Sequence, residues 1–246
     1  MLEYKGVSLA LDGTPILKDV SFRLRPGGLT ALVGRNGSGK STLISCLDGG
    51  LPYSGTVLLG GEDLKTVPPR RRARLAAVLH QDMPAPRLTV RELAAFGREP
   101  YLDFTGRLRE QDREAVERAM EAAGVRSLAE RRADTLSGGE RQRVYLAMIL
   151  AQETELVVLD EPGAHLDRVW EASFLELLTA LEGRTVLLAL HDLDAAVRYA
   201  RDILVLEEGR LVFSGSVEEC LGQEVLEKTF RLRRYTAEEG RIFFAP

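Results

Sequence analysis

The chain has 246 residues, 45% of them apolar and 28% charged, a composition that excludes disorder and fits one substantial core or two small ones. A net charge of -4 argues against wrapping nucleic acid or lying on an anionic membrane. The longest unbroken apolar run, Val144 to Ala151, is far short of the roughly 20 residues that span a bilayer, so any membrane role is expected to be peripheral. Met1-Leu2-Glu3-Tyr4-Lys5 has no charged-then-apolar leader, and Cys46 and Cys220 lie far apart with no metal-ligand spacing. Both features predict a cytoplasmic chain with free thiols.

Alternation over Leu2 to Leu11, and again over Gly55 to Leu59, predicts a half-buried antiparallel layer on either side of a glycine-rich turn. Short apolar runs at Leu29 to Val33, Ala76 to Leu79, Leu156 to Leu159 and Val186 to Leu190 predict parallel strands buried on both faces. The arginines at 70, 71, 72 and 74 after Pro68-Pro69 read as a solvated face or a surface contact. Between Pro84 and Ala151 the period becomes helical, as at Ala115, Val116, Ala119, Met120 and Ala123. A capping box at Thr89 and Glu92 and a stop at Gly124 bound helices there. Ile203 to Leu206 and Leu211 to Phe213 flank Glu208-Gly209 as a hairpin, and a second hairpin is expected around Glu239-Gly240, covering the sheet edge. The expected fold is α/β: a mostly parallel core sheet, an antiparallel β subdomain, and a helical subdomain at 84–153 inserted into a single domain spanning 1–246.

The turn directly after Leu29 to Val33 carries chemistry. Gly34-Arg35-Asn36-Gly37-Ser38-Gly39-Lys40-Ser41 matches G-x-x-x-x-G-K-S between a strand and a helical run, the context that a phosphate-binding loop requires. Gly37 and Gly39 let the backbone amides of Asn36 to Ser41 point inward, and the positive end of the next helix adds to their field. Lys40 supplies a point charge for β- and γ-phosphate, Ser41 a hydroxyl for Mg²⁺, and Thr42 a hydrogen bond near the α-phosphate. The loop alone indicates a nucleotide binder, and kinases, GTPases and recombinases share it. Asp160 and Glu161 end the apolar strand Leu156 to Leu159 and project to opposite sides. Asp160 suits a magnesium site and Glu161 a general base acting on water.

Leu136-Ser137-Gly138-Gly139-Glu140-Arg141-Gln142-Arg143 is a helix start whose Ser137 and Glu140 form a capping box and whose two glycines expose backbone amides, a second anion site. It resembles the signature motif of ATP-binding cassette (ABC) proteins. That resemblance implies an ATPase in which Ser137, Gly138, Gly139 and Glu140 of one protomer close on ATP held by the other, so that ATP and Mg²⁺ are the glue of a homodimer. It further implies that Gln81 reaches Mg²⁺ and the attacking water, that Asp167 lies in a loop crossing the dimer interface, and that His191 contacts γ-phosphate. His80 and His165 are read as packing or interface residues, and no zinc site is expected.

Gly97-Arg98-Glu99-Pro100-Tyr101-Leu102, the segment Glu161 to Asp167, and Leu190-His191-Asp192-Leu193-Asp194-Ala195-Ala196 look like importers of iron-siderophores, haem and cobalamin. The resemblance implies two copies on the cytoplasmic face of the membrane beneath permease subunits, with an external binding protein delivering substrate. The alternatives are a non-transport cassette ATPase and an exporter. Two departures stand out: Leu11 occupies the place of the aromatic residue that stacks on adenine, and Gly163 that of a Thr or Ser.

Overall fold

The computed structural model describes residues 1–81, 84–162, 168–237 and 241–245, with backbone alone at 168–170. The first part of the chain runs β1 (Leu2–Leu11), β2 (Thr14–Arg23), β3 (Gly28–Val33), α1 (Lys40–Ser45), β4 (Tyr53–Leu59), β5 (Glu62–Asp63), α2 (Pro69–Leu75) and β6 (Ala76–Leu79). A helical stretch follows: α3 (Val90–Ala95), the 3-10 turn Phe96–Tyr101, α4 (Glu110–Ala122) and α5 (Gly138–Ala151). The rest comprises β7 (Leu156–Asp160), α6 (Arg168–Thr179), β8 (Thr185–Leu190), α7 (Leu193–Tyr199), β9 (Asp202–Glu207), β10 (Arg210–Ser216), α8 (Val217–Gly222), α9 (Val225–Phe230), β11 (Arg233–Thr236) and β12 (Ile242–Ala245).

Among the described residues the strands form a six-stranded sheet in the order β10-β9-β3-β8-β7-β6, a four-stranded sheet in the order β2-β1-β4-β5, and the hairpin β11-β12. Every pairing from β9 to β6 is parallel, while β10 is antiparallel to β9. The expected mixed sheet and separate antiparallel layer are both present. Period-2 burial explains why the parallel strands are apolar throughout. Leu29, Ala31 and Val33 of β3, with Val186, Leu188 and Leu190 of β8, face a core shared with α3 to α7; Leu32, Leu187 and Ala189 face a second core with α1 and the antiparallel sheet. The hydroxyl of Tyr4 donates to Leu43 O at 2.8 Å and fixes α1 to that sheet.

Two features extend the sequence reading and one corrects it. Strand β2 has no regular alternation in the sequence, because its inward residues Leu17, Val20 and Phe22 break the two-residue period where Asp19 takes a φ of 54°. Helix α2 uses Pro69 in its first turn and carries the arginines after it on a mostly exposed face. The tail forms a hairpin, yet it packs on α7 instead of a sheet edge: Phe244 N donates to Asp194 Oδ1 at 2.9 Å. The turn at Glu239-Gly240 lies outside the described residues.

Candidate nucleotide site

The parallel register brings the C-terminal ends of three strands together: Val33 of β3 pairs with Leu190 of β8, and Asp160 of β7 with Ala189. Loops leaving these ends carry the candidate residues, the usual place for a ligand in an open parallel sheet. The chain turns out of β3 at Gly34, where a Cβ would stand 2.4 Å from both Leu206 O and Ser38 Oγ. Gly39 has a φ of 103°, and a Cβ there would lie 3.0 Å from Leu17 Cδ2. Both positions therefore require glycine. Asn36, Gly37, Ser38, Gly39, Lys40, Ser41 and Thr42 line a cavity of about 420 Å³ with Ile16, Gln81 and Glu161.

Lys40 is buried, its ammonium donating to Gly34 O at 2.9 Å and lying 3.1 Å from Glu161 Oε1. Glu161 reaches it because its own φ is 46°, a left-handed conformation that turns the chain sharply at the end of β7, while its amide donates to Ala189 O at 3.2 Å. For a glutamate this is a sparsely populated conformation, held by the surrounding structure. Asp160 is buried beneath the cradle, and its Oδ1 has no partner among the described residues. Burial pushes its carboxyl above the usual range, the Ser41 hydroxyl bonded to it acts in the opposite direction, and the Glu161 charge adds to the rise. An under-satisfied buried carboxylate beside a hydroxyl is a hard-oxygen donor set suited to a divalent cation.

The remaining candidates are more scattered. Leu11 ends β1 opposite Thr14, is exposed, and does not line the cavity; its apolar wall is Ile16, which the unread strand β2 concealed. His191 follows β8 and is exposed outside the cavity lining. Gln81 lines the cavity, and His80 next to it lies 3.1 Å from Asp48 Oδ2 at the surface, a polar contact and not internal packing. His165 and Asp167 lie outside the described residues.

Ser137 caps α5 as expected: Glu140 N donates to its hydroxyl at 3.3 Å, and Ser137 N donates to Glu140 Oε2 at 2.8 Å. The box occupies the amides of Ser137 and Glu140, as the sequence reading has it, leaving those of Gly138 and Gly139 and the Ser137 proton for a ligand. A Cβ on Gly138 would meet nothing within 4 Å, so this face is open. None of Ser137, Gly138, Gly139 and Glu140 lines the cavity around Lys40.

A family model described as "ABC transporter" matches residues 17–164. The ferric enterobactin transport ATP-binding protein FepC of Escherichia coli (strain K12) is 40% identical over 94% of this chain and 88% of its own length. The hemin import ATP-binding protein HmuV of Burkholderia thailandensis is 36% identical over 98% of this chain and 96% of its own. The solved structure of CbiO1 from Clostridium perfringens, part of the ABC transporter complex CbiONQ, superposes with a TM-score of 0.80 at 28% identity, covering 92% of this chain and 93% of that one. The phosphate cradle and strand-end carboxylates are thus parts of an ATP-binding, ATP-hydrolysing unit, and the chain belongs to the ABC transporter family.

Proposed function

We propose that two copies of this chain sandwich two ATP molecules and, on the cytoplasmic face of the membrane, drive a permease that imports a metal chelate of the siderophore, haem or cobalamin class. The kinship with siderophore and hemin import ATP-binding proteins supports the cargo class. An external binding protein hands over the chelate. The observation that carries the dimer is the separation of the two anion sites: the open serine-glycine face of α5 takes no part in the cavity around Lys40. One copy's signature completes its twin's cradle.

In this reading the amides of Asn36 to Thr42 hold the phosphates and Lys40 neutralises β- and γ-oxygens. A γ-phosphate competes with Glu161 for Lys40 and frees that carboxylate to face a water. Glu161 accepts the water proton as oxygen attacks γ-phosphorus, and the bond to the bridging oxygen of ADP breaks. Ser41, Asp160 and Gln81 would hold Mg²⁺, which offsets charge on the terminal phosphates when bound. His191 and Asp167 act from the end of β8 and from the twin. The helical subdomain at 84–153 passes the closed and open states to the permease. Moving a dimer from one to ninety-nine parts closed in a hundred takes about 5.5 kcal/mol of differential binding, shared here by two nucleotides.

Glu161→Gln tests the assignment. ATP affinity should persist and light scattering should detect an ATP-held dimer, while phosphate release falls about 10²- to 10⁴-fold. Hydrolysis at the parental rate removes Glu161 from the role of base.

A further inference from the structure

The arginine-rich helix α2 has a role that the nucleotide site does not absorb. Arg70 Nε and Arg74 Nε both donate to the carbonyl of Pro100, at 2.8 and 2.9 Å. The Arg74 guanidinium also lies 5.1 Å from the centre of the Tyr101 ring, and that of Arg98 4.1 Å from it. The Tyr101 hydroxyl donates to Gln152 O at 2.8 Å, and Gln152 Nε2 returns to α2, donating to Ala73 O and to Ala76 O. The loop closes on itself, linking α2 to the 3-10 turn, the turn to the C-terminal end of α5, and that end back to α2.

The same end of α5 is fixed within the helical stretch. A Cβ on Gly97 would lie 2.0 Å from Met148 O, so the 3-10 turn sits directly on the last turns of α5. Buried Arg98 donates to Ala151 O at 2.9 Å, to Asp112 Oδ1 at 3.0 Å and to Glu153 Oε2 at 2.8 Å. The far end of α5 carries Ser137. The helix has 14 residues, about 21 Å at about 1.5 Å per residue, so a tilt of about 3° at the anchored end moves Ser137 by about 1 Å. A displacement of that size is enough to lose about 10²-fold in a well-aligned reaction.

We infer that Arg70 and Arg74, acting through the Pro100 carbonyl, are positioning residues that set the angle of the signature helix against the core, and hence the placement of Ser137 on a nucleotide held by the twin. The inference rests on the split-site reading above. Its prediction is a divided phenotype. With both arginines replaced by alanine, ATP affinity of the dilute monomer stays within about twofold, because the cradle is untouched, while kcat falls about fivefold and ATP-driven dimerisation in the E161Q background weakens similarly. The R70K/R74K variant, whose ammonium groups reach the same carbonyl, recovers at least half of the lost kcat.

Spin labels on E130C in the helical stretch and S54C in the antiparallel sheet give a readout that needs no dimer. The distance distribution should broaden in R70A/R74A and narrow again in R70K/R74K. An unchanged distribution, an unchanged kcat, or a loss of monomer ATP affinity in step with Tm each overturns the positioning role. If the E161Q chain fails to dimerise with ATP while the distances still respond, the split site is wrong and the clasp stands as the anchor of the helix.

Discussion

The helix starts at Lys40 and at Gly138 look alike in sequence, glycine-rich turns feeding a helix, and they are built in opposite ways. At α1 the cap is Gly39 in a left-handed conformation with no side chain closing the first turn. Around it lie Ser38 Oγ and Asp160 Oδ1, both buried and without a partner. At α5 the cap is Ser137, and the Ser137–Glu140 box satisfies two first-turn amides from within. One end is left under-satisfied and the other largely completes itself. Buried polar groups without partners are disfavoured in the absence of a ligand, so the cradle is organised to take a ligand on its own, an anion at the loop amides and Lys40 and a cation at Asp160, whereas the signature retains only a few donors for an anion presented by another surface.

Breaking the cradle should have the largest effect. Lys40→Ala removes the one buried cation contacting both Gly34 O and Glu161. A charge-assisted contact of about 1.5 to 3 kcal/mol predicts about 10- to 100-fold weaker ATP binding by titration calorimetry. Unchanged affinity would mean that the backbone amides alone hold the nucleotide and that the contrast between the two helix starts is overstated.

How much of this was legible beforehand follows the same contrast. The parallel strands are legible because both faces are buried, and the cradle because glycine is required at 34 by close backbone contact and at 39 by a φ of 103°. The capping boxes at Thr89 and Ser137 were readable because a cap is local. What a sequence leaves unread is non-local or irregular. Asp19 shifts the phase of β2, which concealed Ile16 and left Leu11 as the expected adenine contact. The α2 arginines do form a largely solvated face, but their shared acceptor, the Pro100 carbonyl, lies about thirty residues away and leaves no local signal. Nothing in a sequence indicates that a distant carbonyl will be shared by two guanidinium groups.

The capping boxes sharpen the comparison at intermediate size. Thr89→Ala and Ser216→Ala each remove a box equivalent to that of Ser137. Each should lower stability by about 1 kcal/mol and leave ATPase per folded molecule unchanged. Ser137→Ala should show a similar loss of stability and a fall in kcat of about tenfold or more, the scale of losing one donor to a transition-state charge. The carboxyls of Glu92, Glu140 and Glu219 are all held below their usual range, chiefly by the backbone hydrogen bond of the box. Depressed in the fold, they contribute stability above the ordinary carboxylate range and lose it as pH falls through the lowered values. The alanine variants keep that backbone amide, so in acid they should remain less stable than the parent, the gap narrowing only by the smaller share that the cap hydroxyl gives to the carboxylate. A kcat for Ser137→Ala that matches the two controls would reduce the signature serine to a helix cap.

The last stability effect has the opposite sign, and it separates the two helix starts most directly. Asp160 is buried, one oxygen has no partner, and burial raises its carboxyl pKa in the fold. A raised carboxyl favours the fold only while protonated, so the contribution is present below the ordinary carboxylate range and is lost as pH rises through the folded value. At neutral pH without Mg²⁺ the ionised group opposes folding. Asp160→Asn keeps the shape, removes the charge, and should raise Tm by about 2 to 4 °C for a gain on the order of 1 kcal/mol, while ATPase activity collapses. The gain should vanish in acid, where the parent is neutral too. Removing a polar group thus stabilises the chain at the cradle and destabilises it at the signature, because only the signature has already satisfied that group from within. A lower Tm for Asp160→Asn at neutral pH would show the carboxylate to be satisfied in the folded chain, and the asymmetry between the two sites would lose its physical basis.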